Sequence, residues 1–127
     1  MSMFCYQCQE AAKGTGCTVK GMCGKEESTA NLQDLLVFIL KGIAVADREL
    51  RNQDKDDADT GLFVAKAMFA TITNANFDDA RITELIKEAI ARRDDLRQKA
   101  GLNSGPECLT WEGPEAEFAS KATEVGV

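Results

Sequence analysis

Leu32, Leu35, Leu36, Ile39, Leu40 and Ile43 recur at intervals of three and four, and the stripe runs on through Ala46 and Leu50. That period predicts an amphipathic helix over residues 29–52, with Ser28 or Thr29 as its cap and Asp34 near its positive end. The stripe dissolves in the polar connector 52–57. A second helix is predicted over residues 59–73. Its apolar residues Leu62, Val64, Ala65, Met68, Phe69 and Ile72 occupy much of the circumference, which predicts a central helix or one covered on more than one side. Residues 74–76 break it and offer a cap for a third helix over residues 77–99. There Ile82, Leu85, Ile86, Ala89, Ile90 and Leu96 mark the buried face. Asp78 and Asp79 near its start and Arg97 and Lys99 near its end match the helix dipole. The run Arg92-Arg93-Asp94-Asp95 reads as a solvated, ion-paired face. Beyond Gly101 the chain has turn chemistry through residue 114, and a last short helix is expected over residues 115–123.

These elements predict an all-α fold: an antiparallel three-helix bundle (residues 29–127) preceded by an irregular cysteine-rich lobe (residues 1–28), together one compact domain. No glycine-rich phosphate motif and no alternation of strands supports a nucleotide-binding α/β fold. The 127 residues suffice for one domain, and 44% hydrophobic with 6% aromatic content permits an aliphatic core. Fifteen basic residues against twenty-one acidic give a net charge of −6, which argues against a nucleic-acid or anionic-membrane surface. The longest uninterrupted apolar run, Leu35 to Leu40, falls far short of the ~20 residues needed to span a bilayer. The start of the chain carries no basic, apolar leader, so the expected location is the cytoplasm. Histidine is absent, which removes the usual general base and the usual partner of a nucleophilic serine or cysteine.

The chemistry sits in the first lobe. Cys5, Cys8, Cys17 and Cys23 read C-x2-C-x8-C-x5-C. Disulfides, one zinc ion or one Fe–S cluster can each use four cysteines. Disulfides belong to oxidising compartments and to small chains without a core. Zinc cages usually carry two short C-x2-4-C knuckles, and only Cys5 and Cys8 make one here. The wider gap from Cys17 to Cys23 favours a larger object, since a cluster takes its thiolates at separate irons. Zinc stays open on spacing alone. Gly14, Gly16, Gly21 and Gly24 suit either metal, because they allow positive φ and close backbone approach. Phe4 and Tyr6 are placed either to shield a cluster or simply to pack. Cys108 lies far along the chain and reads as a partly buried structural thiol, with a fifth ligand or a redox switch as alternatives.

The strings Met3-Phe4-Cys5-Tyr6-Gln7-Cys8-Gln9-Glu10, Gly16-Cys17-Thr18, Gly21-Met22-Cys23-Gly24-Lys25 and Thr29-Ala30-Asn31-Leu32-Gln33-Asp34-Leu35-Leu36 closely resemble the start of the hybrid-cluster proteins. These are also called hydroxylamine reductases or prismane proteins. Likeness continues through Phe69-Ala70-Thr71-Ile72-Thr73-Asn74-Ala75-Asn76 and Ala91-Arg92-Arg93-Asp94. Nickel- and iron-containing carbon monoxide dehydrogenases are more distant relatives. The resemblance implies that Cys5, Cys8, Cys17 and Cys23 hold a cluster near the surface that relays electrons inward. Their spacing resembles the family class with a 4Fe–4S cubane, and longer gaps accompany a 2Fe–2S centre. The rest of the chain resembles the first of two three-helix bundles. Members of that family are far longer, and their hybrid cluster is bound by His, Glu and Cys residues of later domains. The expectation is therefore an N-terminal electron-transfer module of an enzyme that reduces hydroxylamine or nitric oxide, without the catalytic centre. Expected partners are the remainder of such an enzyme or an electron-donor protein, with self-association through an exposed apolar surface. A zinc-stabilised helical binding module without redox activity is the alternative.

Overall fold

A computed structural model describes residues 3–55, 57–73 and 77–126. The helices are α1 (Glu27–Asn52), α2 (Ala58–Ala70), α3 (Asp79–Ala100), α4 (Glu107–Thr110) and α5 (Phe118–Val125), with short 3-10 turns at Ala12–Gly14 and Glu115–Glu117. The all-α expectation holds, and the three long helices fall where the apolar period places them.

Helix α1 is the centre of the molecule. Its stripe of Leu35, Leu36, Ile39, Leu40, Ile43, Ala46 and Leu50 is buried, chiefly against Ile82, Leu85, Ile86, Ala89 and Leu96 of α3. Its flanks carry α4 and α5. Each fully buried Leu or Ile contributes about 1.5–3 kcal/mol. The two helices run in the same direction: Thr29 near the start of α1 donates to Asp79 at the start of α3, and Gln53 after α1 donates to the carbonyl of Ala100 at the end of α3 at 3.1 Å. Thr29 thus ties two helices together instead of capping its own. The cap position is Glu26, whose side chain makes no capping bond. By length and composition alone α1 is long and apolar enough to cross a membrane, but its apolar stripe is buried within the protein.

Helix α2 connects the end of α1 to the start of α3 from outside that pair and differs from expectation. It is not central. Thr60, Phe63, Ala67 and Ala70 form one narrow buried stripe, while Leu62, Met68 and Phe69 around it, and Ile72 just beyond the helix end, are exposed, Phe69 at 62%. High average apolarity showed that this helix needs covering but not which side the chain covers. Asp57 caps α2 by accepting from the Asp59 N–H, and Asp78 caps α3 by accepting from the Ala80 N–H. The cap expected within residues 74–76 lies outside the described residues. Gly101 ends α3 with φ +72°, the left-handed turn that glycine adopts without a Cβ penalty.

A second correction concerns Arg93. The charge run was expected to be solvated throughout. Arg92 does pair with Asp59 and Glu88 at the surface, and Lys99 pairs with Asp95. Arg93, however, is 0% exposed. Its guanidinium donates to the carbonyls of Cys108 and Trp111 and to the Asp94 carboxylate. Three neighbouring charges lie on the outer faces of the helix, and Arg93 points inward to fix the returning C-terminal segment. Helix α4, unforeseen within the expected loop, comes so close to α1 that a Cβ on Gly42 would collide with the Cys108 carbonyl. Leu109 fills the gap beneath it, and Trp111 packs on Phe118 with ring centroids 6.2 Å apart.

Candidate metal centre

The cysteine lobe is folded by its backbone more than by its side chains. Cys5 and Cys17 pair as an isolated antiparallel bridge, with N···O distances of 3.0 and 2.9 Å in the two directions. The turn at Ala12–Gly14 lies between the bridged residues, and Gly21 N–H donates to the Lys25 carbonyl at 2.8 Å to close the last loop. Two glycines are indispensable here. Gly16 has φ +142°, and a Cβ on it would strike the Phe4 ring. Gly21 has no unusual φ, but a Cβ there would lie 3.1 Å from Cys23 Sγ. A small apolar cluster of Met3, Ala11, Cys17 and Ala30 seats the lobe on the first turn of α1.

Cys5, Cys8 and Cys23 line one depression of about 390 Å³ together with Gln7, Glu10, Met22, Lys25, Thr71, Ile72 and Phe77. Cys8 and Cys23 are exposed, Cys5 is half-buried and Cys17 is buried behind Cys5. All four are free thiols. Cys17 Sγ accepts from the Ala12 N–H at 3.4 Å. Backbone hydrogen bonds from Ala12 and then Met22 hold this thiol below its ordinary value, against the opposing effect of burial and with help from the Lys25 charge. Among the described residues no three His, Cys, Asp or Glu side chains converge tightly enough to close on a single metal ion. The donor set itself, thiols opening on one concave surface with N–H groups and an ammonium directed at sulfur, fits a thiolate-ligated group.

Spacing arguments missed Lys25, which the structure places against Cys5. It is 2% exposed, and its Nζ donates to Cys5 Sγ at 3.4 Å, Gln7 Oε1 at 2.9 Å and the Thr71 carbonyl at 3.2 Å. Gln7 Nε2 in turn donates to Thr71 Oγ1 at 2.8 Å, and Thr71 Oγ1 donates to the Met68 carbonyl. The lobe is thereby bolted to the carboxyl end of α2, where a helix favours a positive charge. The only sequence cue was position: Lys25 follows Cys23-Gly24, and Gln7 lies between two cysteines.

Phe4 and Tyr6 do not line the cysteine depression. They flank a second one of about 330 Å³, which Cys5 and Lys25 also reach. Its wall includes Gln33, buried with neither amide atom bonded. Met22, Ile72 and Phe77 provide the apolar rim of the cysteine depression instead. Cys108 belongs to α4, lines neither depression, and serves the fold through its carbonyl.

The chain is similar to proteins named hydroxylamine reductase: 52% identical over 98% of its length to that of Nitratidesulfovibrio vulgaris, 50% over its full length to that of Bacteroides thetaiotaomicron, and 46% to that of Halothermothrix orenii. It spans about a quarter of the length of each, corresponding to their N-terminal part. A family model described as Prismane/CO dehydrogenase, a family that binds Fe–S clusters, matches residues 3–125. With a cysteine lobe on a helical body and a match over nearly its whole length, this chain belongs to the Prismane/CO dehydrogenase family.

Proposed function

We propose that this chain is the electron-relay part of a hydroxylamine reductase, with Cys5, Cys8, Cys17 and Cys23 as the ligands of a 4Fe–4S cluster. The observation that carries the reading is the concave surface shared by Cys5, Cys8 and Cys23, with Cys17 locked behind Cys5 by two backbone hydrogen bonds. Bound there, such a cluster would supply one-electron storage between an external donor and the centre of a longer enzyme that reduces hydroxylamine or nitric oxide. The residues of this chain contribute the rest. The bridge fixes the relative position of two ligands before any iron arrives. N–H groups of the lobe and the Lys25 ammonium stabilise sulfur as thiolate. Met22, Ile72 and Phe77 limit water on one side of the depression, and the exposure of Cys8 and Cys23 leaves a short path to a donor protein.

Anaerobic purification followed by iron and acid-labile sulfide assays tests the reading. The expected result is iron and sulfide in equal amounts, with a broad visible absorption that bleaches on reduction. Zinc in place of iron, or iron without sulfide, would overturn it, and zinc would favour the redox-silent binding module.

A further inference from the structure

Lys25 is buried, and among the described residues no carboxylate bonds its Nζ. Among the described residues its partners are the neutral Gln7 amide, the Thr71 carbonyl, the face of the Phe77 ring at 4.9 Å, and Cys5 Sγ. Glu10 lies on the rim of the same depression without pairing to it. Buried cations are normally matched by an anion, because desolvation otherwise costs far more than neutral hydrogen bonds return. The anions this position can serve are the cysteine thiolates. The ammonium is also held by three acceptors on two separate elements, so it cannot swing away when the charge beside it changes.

Resting on the function proposed above, we infer that Lys25 is a positioning residue whose fixed charge beside Cys5 sets the reduction potential of the group the cysteines hold. A thiolate-bound cluster gains negative charge when it accepts an electron. A positive charge at hydrogen-bond distance from one ligand sulfur stabilises the reduced form more than the oxidised form, and burial strengthens that preference. Gln7 keeps the ammonium on Cys5, and Thr71 keeps it there by anchoring both Gln7 and Lys25.

The test compares Lys25→Met, which retains the aliphatic stem without charge, Lys25→Gln, which retains a hydrogen-bond donor without charge, and Lys25→Arg, which retains the charge. Each full chain is prepared anaerobically, assayed for iron and sulfide, and titrated spectroscopically for its potential. The expected outcome is an about tenfold shift of the one-electron equilibrium toward the oxidised form in both neutral variants, equivalent to about 59 mV, with the arginine variant within about threefold of the parent. Fully loaded neutral variants at the parent potential would overturn the inference. So would loss of iron from both neutral variants while the arginine variant stays loaded, since Lys25 would then be an assembly pin. A parent chain without iron and sulfide would instead overturn the proposed function, and this inference with it.

Discussion

Residues 3–26 bury Met3, Ala11 and Cys17 as their share of one small cluster, whereas residues 27–126 bury a continuous layer of Leu, Ile, Phe and Ala across five helices. The helical body is specified by apolar area, which is redundant: many side chains share the load, and the loss of one leaves the rest. The lobe is specified by a few backbone bonds, two obligatory glycines and one lysine, each without a substitute. A segment that must present sulfur on an open surface cannot also fill itself with hydrocarbon. Its shape is therefore held by hydrogen bonds and by its attachment to α2, and a bound group would complete it.

Three experiments press on that contrast. The largest effect is expected for Arg93→Met, which leaves the carbonyls of Cys108 and Trp111 unmatched beneath α4. A loss of about 3 kcal/mol in a denaturant titration is expected, with the C-terminal segment released first in hydrogen exchange. An exposed-type cost of a few tenths would show that the body does not depend on this buried cation. Gly16→Ala comes next. Its positive φ and the collision with Phe4 are expected to cost about 1–2 kcal/mol, confined to exchange protection in residues 3–26, with helical circular dichroism unchanged. Cooperative loss of the helices would erase the distinction between lobe and body. The smallest effect concerns Lys87, which hydrogen-bonds Glu115 and then Glu84, and whose pKa is raised above 10.5 by those bonds. A group with a raised folded pKa stabilises below its unfolded value and loses that contribution as pH rises through the folded one. A small decline in melting temperature above pH 10.5 is expected in the parent, and Lys87→Met is expected to remove that part of the decline.

Much of the body was legible because period and position agree: Leu35, Ile39 and Ile43 recur at helical spacing and are buried. The orientation of α2 was not, since its apolar residues surround the helix and only packing decides which of them face inward. Arg93 was hidden by its neighbours, because a charged residue in a charged run gives no sequence sign that one member turns toward two carbonyls. In the candidate site, cysteine spacing singled out four thiols, of which three line one depression, and Gly14, Gly16 and Gly24 take the positive φ that their tight turns require. Lys25 was invisible as a partner of Cys5, because the fold that sets its ammonium 3.4 Å from that sulfur also holds it on Thr71, 46 positions further along the chain. Leu62, Met68 and Phe69 of α2, and Ile72 just beyond its end, are exposed.

Thr71 gives that exposed helix a mechanical significance. Its carbonyl grips the ammonium, its hydroxyl grips Gln7, and it follows directly on the last turn of α2. Any displacement of α2 along its axis drags the nearest positive charge relative to Cys5. Under the function proposed above, a load that shifted α2 would therefore change the electron affinity of the group held by the cysteines, and by thermodynamic reciprocity that group's charge would change the grip of the load.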